Sequence, residues 1–447
     1  MKDMKTRLLR LGAVLIAVSA AWPAFGRCVD EENVEQRSNN SSVAPLTDAG
    51  GPRAALQAMV KEARKRSQII GASKLLAEAA DIDVKETKSG AWPQVALSGS
   101  YGYANNKVDG VDEGHGMQTR ATLSISAPLY DGGRLNRLTD WRNSLADAAR
   151  FGALSTEEQV ALQTVSLAIE RSRYRLQVQV YQQYARKMSC LVEALETIVR
   201  ADKGRTSELV QAQKNLQQAE ISQAQTVSMV RQVEIRLRRF VGDGLPSTEG
   251  LSSVLLELPA LNDLIAQAES SSDIAQLGAQ AEAAENYAKS VDALKKPQLN
   301  WVFSGTKAAG AGDSTAISAG VNVNIPLYAP GNYYAADSAL KRAEAARLQR
   351  ADALEGRKFR IAEVHEQAMS SFDRAHRLID VLRDSDRVRN YTLQQWQQLG
   401  RRSLFDVMSS EGEHYGLRVA YVNALYDAQQ SAALLRSLGL GISNWLE

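Results

Sequence analysis

The chain has 447 residues, room for two or three ordinary domains, with 53 Lys and Arg against 51 Asp and Glu for a formal charge of +2. That balance excludes a global field for nucleic acid; two cysteines exclude a disulfide scaffold, and histidines scattered at 115, 365, 376 and 414 exclude a His-rich metal site. Beyond residue 25 no run of 18 apolar residues occurs, so no membrane-spanning helix is expected.

Lys2, Lys5, Arg7 and Arg10 precede the apolar stretch Leu11–Ala21, and Ala24-Phe25-Gly26 sets small residues two apart. This pattern reads as a cleaved export signal over 1–26, followed by a linker over 27–51. Arg27 stands before Cys28 where a lipid-anchor signal wants a small residue, so acylation is not expected. Whether Cys28 and Cys190 pair is left open by the sequence.

Proline spacing sets the layout. Residues 129–245 and 331–447 contain no proline, which invites very long helices because proline breaks helix interiors. Each stretch follows the same landmarks: Trp92-Pro93-Gln94 and Lys296-Pro297-Gln298, then Pro128-Leu129-Tyr130 and Pro326-Leu327-Tyr328. Gly204-Arg205-Thr206-Ser207 and Gly400-Arg401-Arg402-Ser403 follow in the same order, so the chain repeats itself at about 200 residues. The repeats span 52–242 and 261–441, with a linker over 243–260 and a short C-terminal end over 442–447.

Helices are expected over Pro52–Ser89 and Leu261–Ala293, each leading into a strand hairpin. Between the paired prolines the apolar period is two. Val95, Leu97, Gly99, Tyr101 and Tyr103 alternate with Ala96, Ser98, Ser100 and Gly102, and Ala121, Leu123, Ile125 and Ala127 return. The second copy shows Leu299, Trp301 and Phe303, then Ile317, Ala319, Val321, Val323 and Ile325. Four strands follow, over 94–104, 118–128, 297–305 and 316–327, each with one apolar and one polar face, as in membrane barrels. The segments Ala104–Gln118 and Thr306–Thr315 read as exposed loops. Four strands cannot close a barrel, and lipid does not tolerate open edges, so strands placed in a membrane require several chains to share one barrel.

From Arg134 to Lys203 the only glycine is Gly152, a helix on the order of 100 Å. Tyr181, Tyr184, Met188, Leu191, Leu195 and Ile198 keep heptad spacing, and Leu209, Ala212, Leu216, Ala219, Thr226, Val233, Leu237 and Phe240 continue it after the Gly204 turn. This predicts an antiparallel helical hairpin over 134–241. The second hairpin covers 334–440, with Ala368, Phe372, Ala375, Ile379 and Leu382 as its seam and a turn at Gly400.

The duplicated order of helix, strand hairpin and long helical hairpin resembles the TolC-like outer-membrane efflux duct family. The residues that carry the resemblance are the Pro-Gln pairs, the Pro-Leu-Tyr motifs followed by Gly132-Gly133 or Gly331, and the Gly-Arg-x-Ser turns. The resemblance implies a mixed α and β fold. Its members are homotrimers with a 12-stranded transmembrane β-barrel, four strands per chain, continued by a periplasmic α-helical barrel of coiled-coil hairpins. It further implies outer-membrane lipid, a periplasmic adaptor and an RND-type or ABC-type inner-membrane pump as partners, and a passive duct for drug efflux or type I secretion.

In that family the tunnel tip is held shut by aspartate rings and by salt bridges between the hairpins. Its Gly-x-Arg-x-x-x-Asp pattern falls on Gly400, Arg402 and Asp406. The resemblance therefore makes Asp406 the ring candidate and Arg402 the latch cation. Ser409 stands where the family has a second aspartate, and Glu208 is the nearest acid to the expected latch position on the first hairpin. A helix N-terminus also favours an aspartate, an equally open reading of Asp406. Gly204, Arg205, Gly400 and Arg401 are candidate adaptor contacts, against the alternative of solvated helix ends.

Enzyme chemistry is not expected. His365-Glu366 lacks the second histidine of a zinc protease, since Met369 stands there, and Ser304-x-x-Lys307 lies at a strand end without companion motifs. Asp109, Asp112 and Glu113 are a weak calcium candidate at most, and no cofactor or nucleic acid is expected. The competing reading is a soluble periplasmic coiled-coil adaptor or structural protein, which would have no need of strand hairpins with a continuous apolar face.

Overall fold

A computed structural model describes residues 51–108, 111–246, 250–399 and 401–447. The export signal, the linker as far as Gly50, Asp109 and Gly400 lie outside the described residues. In chain order the elements are α1 (Pro52–Arg66), α2 (Gln68–Ser89), β1 (Gln94–Val108), β2 (Val111–Tyr130), α3 (Arg134–Ala201) and α4 (Thr206–Val241). Then come α5 (Leu261–Gln267), α6 (Ser272–Asp292), β3 (Gln298–Gly310), β4 (Ser314–Asn324), α7 (Pro330–Gln394), α8 (Leu404–Leu438) and α9 (Ile442–Leu446). Among the described residues no helix is long and apolar enough to cross a membrane.

The long helices form for the expected reason, an unbroken run without proline. α3 has 68 residues and α7 has 65, each on the order of 100 Å. The leading helices each divide in two. Ser67, extended at ψ 110°, separates α1 from α2, and a 3-10 turn over Ala268–Ser270 separates α5 from α6. α7 starts four residues earlier than expected because Pro330 sits in its first turn, where the missing N–H costs nothing.

One antiparallel sheet has the order β1-β2-β3-β4, so the two repeats meet along β2 and β3, and β1 and β4 are its edges. The strands outrun their expected limits. Residues assigned to loops over 104–118 and 306–315 largely remain in ladder pairing, with a register shift at Asn106/Lys107. The sequence there lacks an apolar alternation, while backbone pairing continues regardless. At the other end the repeats differ. β2 runs through Pro128 to Tyr130, whereas β4 stops at Asn324 and leaves Leu327 and Tyr328 about nine-tenths exposed.

Seam residues of the first helical hairpin pack inward as predicted: Met188, Leu195, Ala212, Ala219, Val233 and Leu237 are buried. The second seam needs correction. Ala368 and Ala375 are buried, but the buried residue beside Phe372 is Ser371, and Ile379 is 41% exposed while its neighbour Leu378 turns partly inward. Apolar spacing alone left the phase open by one residue; backbone phase from Ile361 and Val364 decides it. The largest apolar cluster lies midway, where α1, α3, α4, α8 and α9 bring together Leu56, Ile169, Leu237, Tyr426 and Ile442.

Candidate functional site at the helical tip

Two helical hairpins end side by side, joined by a core of Met188, Leu191 and Leu195 from α3, Ala212 from α4, Leu393 from α7 and Leu404, Val407 and Met408 from α8. The first turn is a 3-10 segment over Lys203–Arg205 capped by Asp202, whose Oδ1 accepts the Gly204 N–H at 2.9 Å. The second leaves α7 through a π-helical turn, Gln395–Leu399, and enters α8 after Ser403.

Asp406 stands in the first turn of α8. Its Oδ2 accepts the Ser403 N–H at 3.1 Å, and Ser403 Oγ accepts the Phe405 N–H at 3.1 Å, a reciprocal cap. The helix-cap reading of Asp406 is thus realised in the structure, and the half-exposed carboxylate also lies 3.9 Å from Arg402 Nη1. Arg402 Nε donates to Gln395 Oε1 at 3.3 Å, and the Arg401 N–H donates to the Gln395 carbonyl. Glu208 does not meet Arg402 within the chain. It lies 3.9 Å from Arg205, its neighbour on the same helical turn, which also approaches Asp202. The helical phase aims Glu208 along α4 rather than across to α8.

Ser409 is exposed and lines a shallow cleft with Phe405 and Glu413 of α8, Tyr184 of α3 and Gln211 and Asn215 of α4. Glu413 was not singled out from the sequence. It follows Ser409 by four residues and Asp406 by seven, so Asp406, Ser409 and Glu413 form one stripe along α8. A search for exposed acids in heptad phase with Asp406 would have found it.

A second cluster escaped sequence reading because its members are far apart in the chain. Glu411 is fully buried, 3.7 Å from Lys187 Nζ on α3 and 3.5 Å from Arg389 Nη1 on α7, while Arg389 also pairs with Asp386 at 2.8 Å. Tyr184 stacks at 5.0 Å on Tyr415 beside it, and burial together with the charge of Glu411 pushes its hydroxyl above the ordinary range. Gly412 permits the approach, since a Cβ there would lie 3.2 Å from Tyr184 Oη. Further along, Arg173 on α3 pairs with Asp427 on α8 at 2.8 Å. The two hairpins of one chain are therefore tied by charges as well as by apolar packing.

At the other end of the chain, the outward strand face carries exposed Val95, Leu97, Tyr101, Tyr103, Ile317, Val321 and Val323. The opposite face carries Ser98, Ser124, Thr122, Ser304, Thr306, Ser318 and Asn322. No group of acids, histidines and cysteines able to hold a metal occurs among the described residues.

The family described as outer membrane efflux protein matches residues 59–243. No curated protein sequence matches the chain. Among solved structures, CusC superposes with a TM-score of 0.76 at 16% identity, covering 89% of this chain and 96% of that one. VceC of Vibrio cholerae gives 0.74 at 18% identity, covering 87% and 97%. The open state of the MtrE outer membrane channel of Neisseria gonorrhoeae gives 0.73 at 14% identity, covering 87% and 89%. These neighbours are channel proteins rather than enzymes. The first repeat thus matches the outer membrane efflux protein family, and the fold of these channel proteins extends along most of the chain.

Proposed function

We propose that this chain is the passive exit duct of a tripartite export system. Three copies pool their strands into one 12-stranded barrel, and their helical hairpins form a tunnel whose tip meets a periplasmic adaptor and an inner-membrane pump. Proteins of this family generally act as trimers with such partners. The single observation that carries the reading is the sheet: four strands, two unpaired edges and one face of exposed apolar side chains. In lipid every backbone group needs a partner, so β4 of one chain must pair with β1 of the next.

Three copies of the Asp406, Ser409 and Glu413 stripe then surround the tunnel tip with two acidic rings, which attract cations and retard anions. Gly204, Arg205, Gly400 and Arg401 mark the turns offered to the adaptor. The pump, RND-type or ABC-type, supplies the energy for drug efflux or type I secretion. Detergent-extracted protein is expected to run as a trimer that conducts ions in planar bilayers. Recovery of the mature chain as a monomer in a detergent-free periplasmic extract overturns this reading in favour of a soluble coiled-coil adaptor.

A further inference from the structure

The polar face of the sheet carries one charge among the described side chains. Arg120 projects from it between Ser100 of β1 and Ala308 of β3, and the nearest residues on the same face are Ser98, Gly102, Gln118, Thr122, Thr306 and Ser314. Its place along the barrel follows from the register. Ser100 is six residues beyond Gln94, so Arg120 lies about 20 Å along the strands from the helical end, towards the hairpin tips.

The side chain is held in that position. Gln118, two residues away on the same face and buried, donates from Nε2 to the carbonyls of Ala311 at 2.7 Å and Gly312 at 3.2 Å. The turn between β3 and β4 is thereby pinned to β2, and the remaining amide oxygen of Gln118 accepts from Arg120 Nη2 at 3.3 Å. No carboxylate pairs with Arg120 among the described residues. The nearest acid in the chain sequence of that turn, Asp313, is engaged with the Gly310 N–H at 2.9 Å. The guanidinium is exposed and its one side-chain partner, Gln118, is neutral.

We propose that Arg120 forms the anion-selecting element of the outer half of the duct, a ring of three guanidinium groups through which negatively charged cargo and small anions pass preferentially. This rests on the trimeric-barrel reading. Twelve strands about 4.8 Å apart and tilted by about 40° give a radius of about 12 Å, of which an extended arginine spans about half. The three charges then lie within about one Debye length of the axis at physiological salt, close enough to act on a solute anywhere in the cross-section. The duct is therefore polarised, cationic at the level of Arg120 in the barrel and acidic at the helical tip. Anionic groups of cargo are drawn forward once they have passed the acidic stripe.

The test uses the full mature chain with Asp406→Asn, so that this inner acid contributes no selectivity, comparing Arg120 with Arg120→Gln and Arg120→Lys. Detergent mass is measured first, then reversal potential in bilayers across a KCl gradient and block by inorganic pyrophosphate added at the hairpin-tip side. Arg120→Gln is expected to lower the chloride-to-potassium permeability ratio roughly threefold and to abolish sided block, with Arg120→Lys close to the parent. Trimers of all three variants with equal ratios and equal block overturn the role of Arg120 alone. Failure of the parent to form trimers overturns the barrel reading and this inference with it.

Discussion

Asp406 and Ser403 cap each other across the first turn of α8, so the proposed ring carboxylate is also part of the helix that presents it. Charge and cap can be separated by substitution. Asp406→Asn keeps an oxygen able to accept the Ser403 N–H but removes the charge, whereas Asp406→Ala removes both. Both variants are expected to raise single-channel conductance and leakage of large antibiotics. Only Asp406→Ala is expected to lose stability, by about 1 kcal/mol. Unchanged conductance in both would leave Asp406 as a cap and nothing more.

Glu411 is expected to hold the two hairpins together. Removing one partner of a buried ion pair costs about 3–5 kcal/mol because the remaining charges stay desolvated. Lys187 and Arg389 are both nearly buried, so Glu411→Ala leaves two cations facing each other. The expected result is a lower urea midpoint together with increased antibiotic leakage through a splayed tip. The double variant Glu411→Leu with Lys187→Met should recover part of the stability. If Glu411→Ala matches the parent in both measurements, the cluster contributes nothing to closure.

Gly132 is required by two independent constraints. Its φ is +68°, and a Cβ built there would stand 2.7 Å from Cβ of Lys296, the residue that leads into the second repeat's first strand. Gly133 has a similar φ of +83° but open space around it. Gly133→Ala is therefore expected to cost only the left-handed penalty, about 1 kcal/mol, and Gly132→Ala clearly more, because backbone must shift as well. Chemical denaturation of the two variants side by side checks the order; equal losses would mean that the contact with Lys296 relaxes freely.

The fold was legible where one physical signal dominated. Proline-free runs and heptad spacing set α3 and α4, and strict alternation set the faces of all four strands, because those patterns reflect burial directly. Strand ends were misread where Asn, Gly and Asp interrupt the alternation, since pairing there is maintained by backbone alone. The second seam differs at Phe372 and Ile379 because apolar character alone does not fix helical phase: Ser371 is buried, Phe372 and Leu378 are half-buried, and Ile379 is exposed. At the tip, Asp406 was visible through a resemblance and its capping role through helix chemistry. Glu411 with Lys187 and Arg389 was invisible, because Lys187 and Glu411, more than 200 positions apart, meet only after both hairpins have formed. Glu413 was visible in principle as the next acid in phase.

Glu234 sets an acid limit on stability. It lies 2.9 Å from Arg171 and 2.8 Å from Arg175, and Arg171 also donates to the Pro246 carbonyl in the linker that follows the first repeat. Burial opposes the charged carboxylate, but hydrogen bonds and the charges of the two arginines outweigh it and hold Glu234 below the ordinary glutamate range. Arg171 is itself lowered, chiefly by burial, with its hydrogen bond to Glu234 opposing that shift. A depressed carboxylate stabilises the folded chain fully above the unfolded value, near 4.3, and that contribution fades as pH falls through the lower folded value. Glu234→Gln is therefore expected to cost about 3 kcal/mol at neutral pH, by leaving Arg171 buried without its counter-charge. It is also expected to flatten the loss of stability between about pH 5 and pH 3. Urea unfolding at a series of pH values measures both effects. Parallel pH profiles for parent and variant would show that Glu234 titrates alike in the folded and unfolded chain, and would remove this cluster from the account of acid sensitivity.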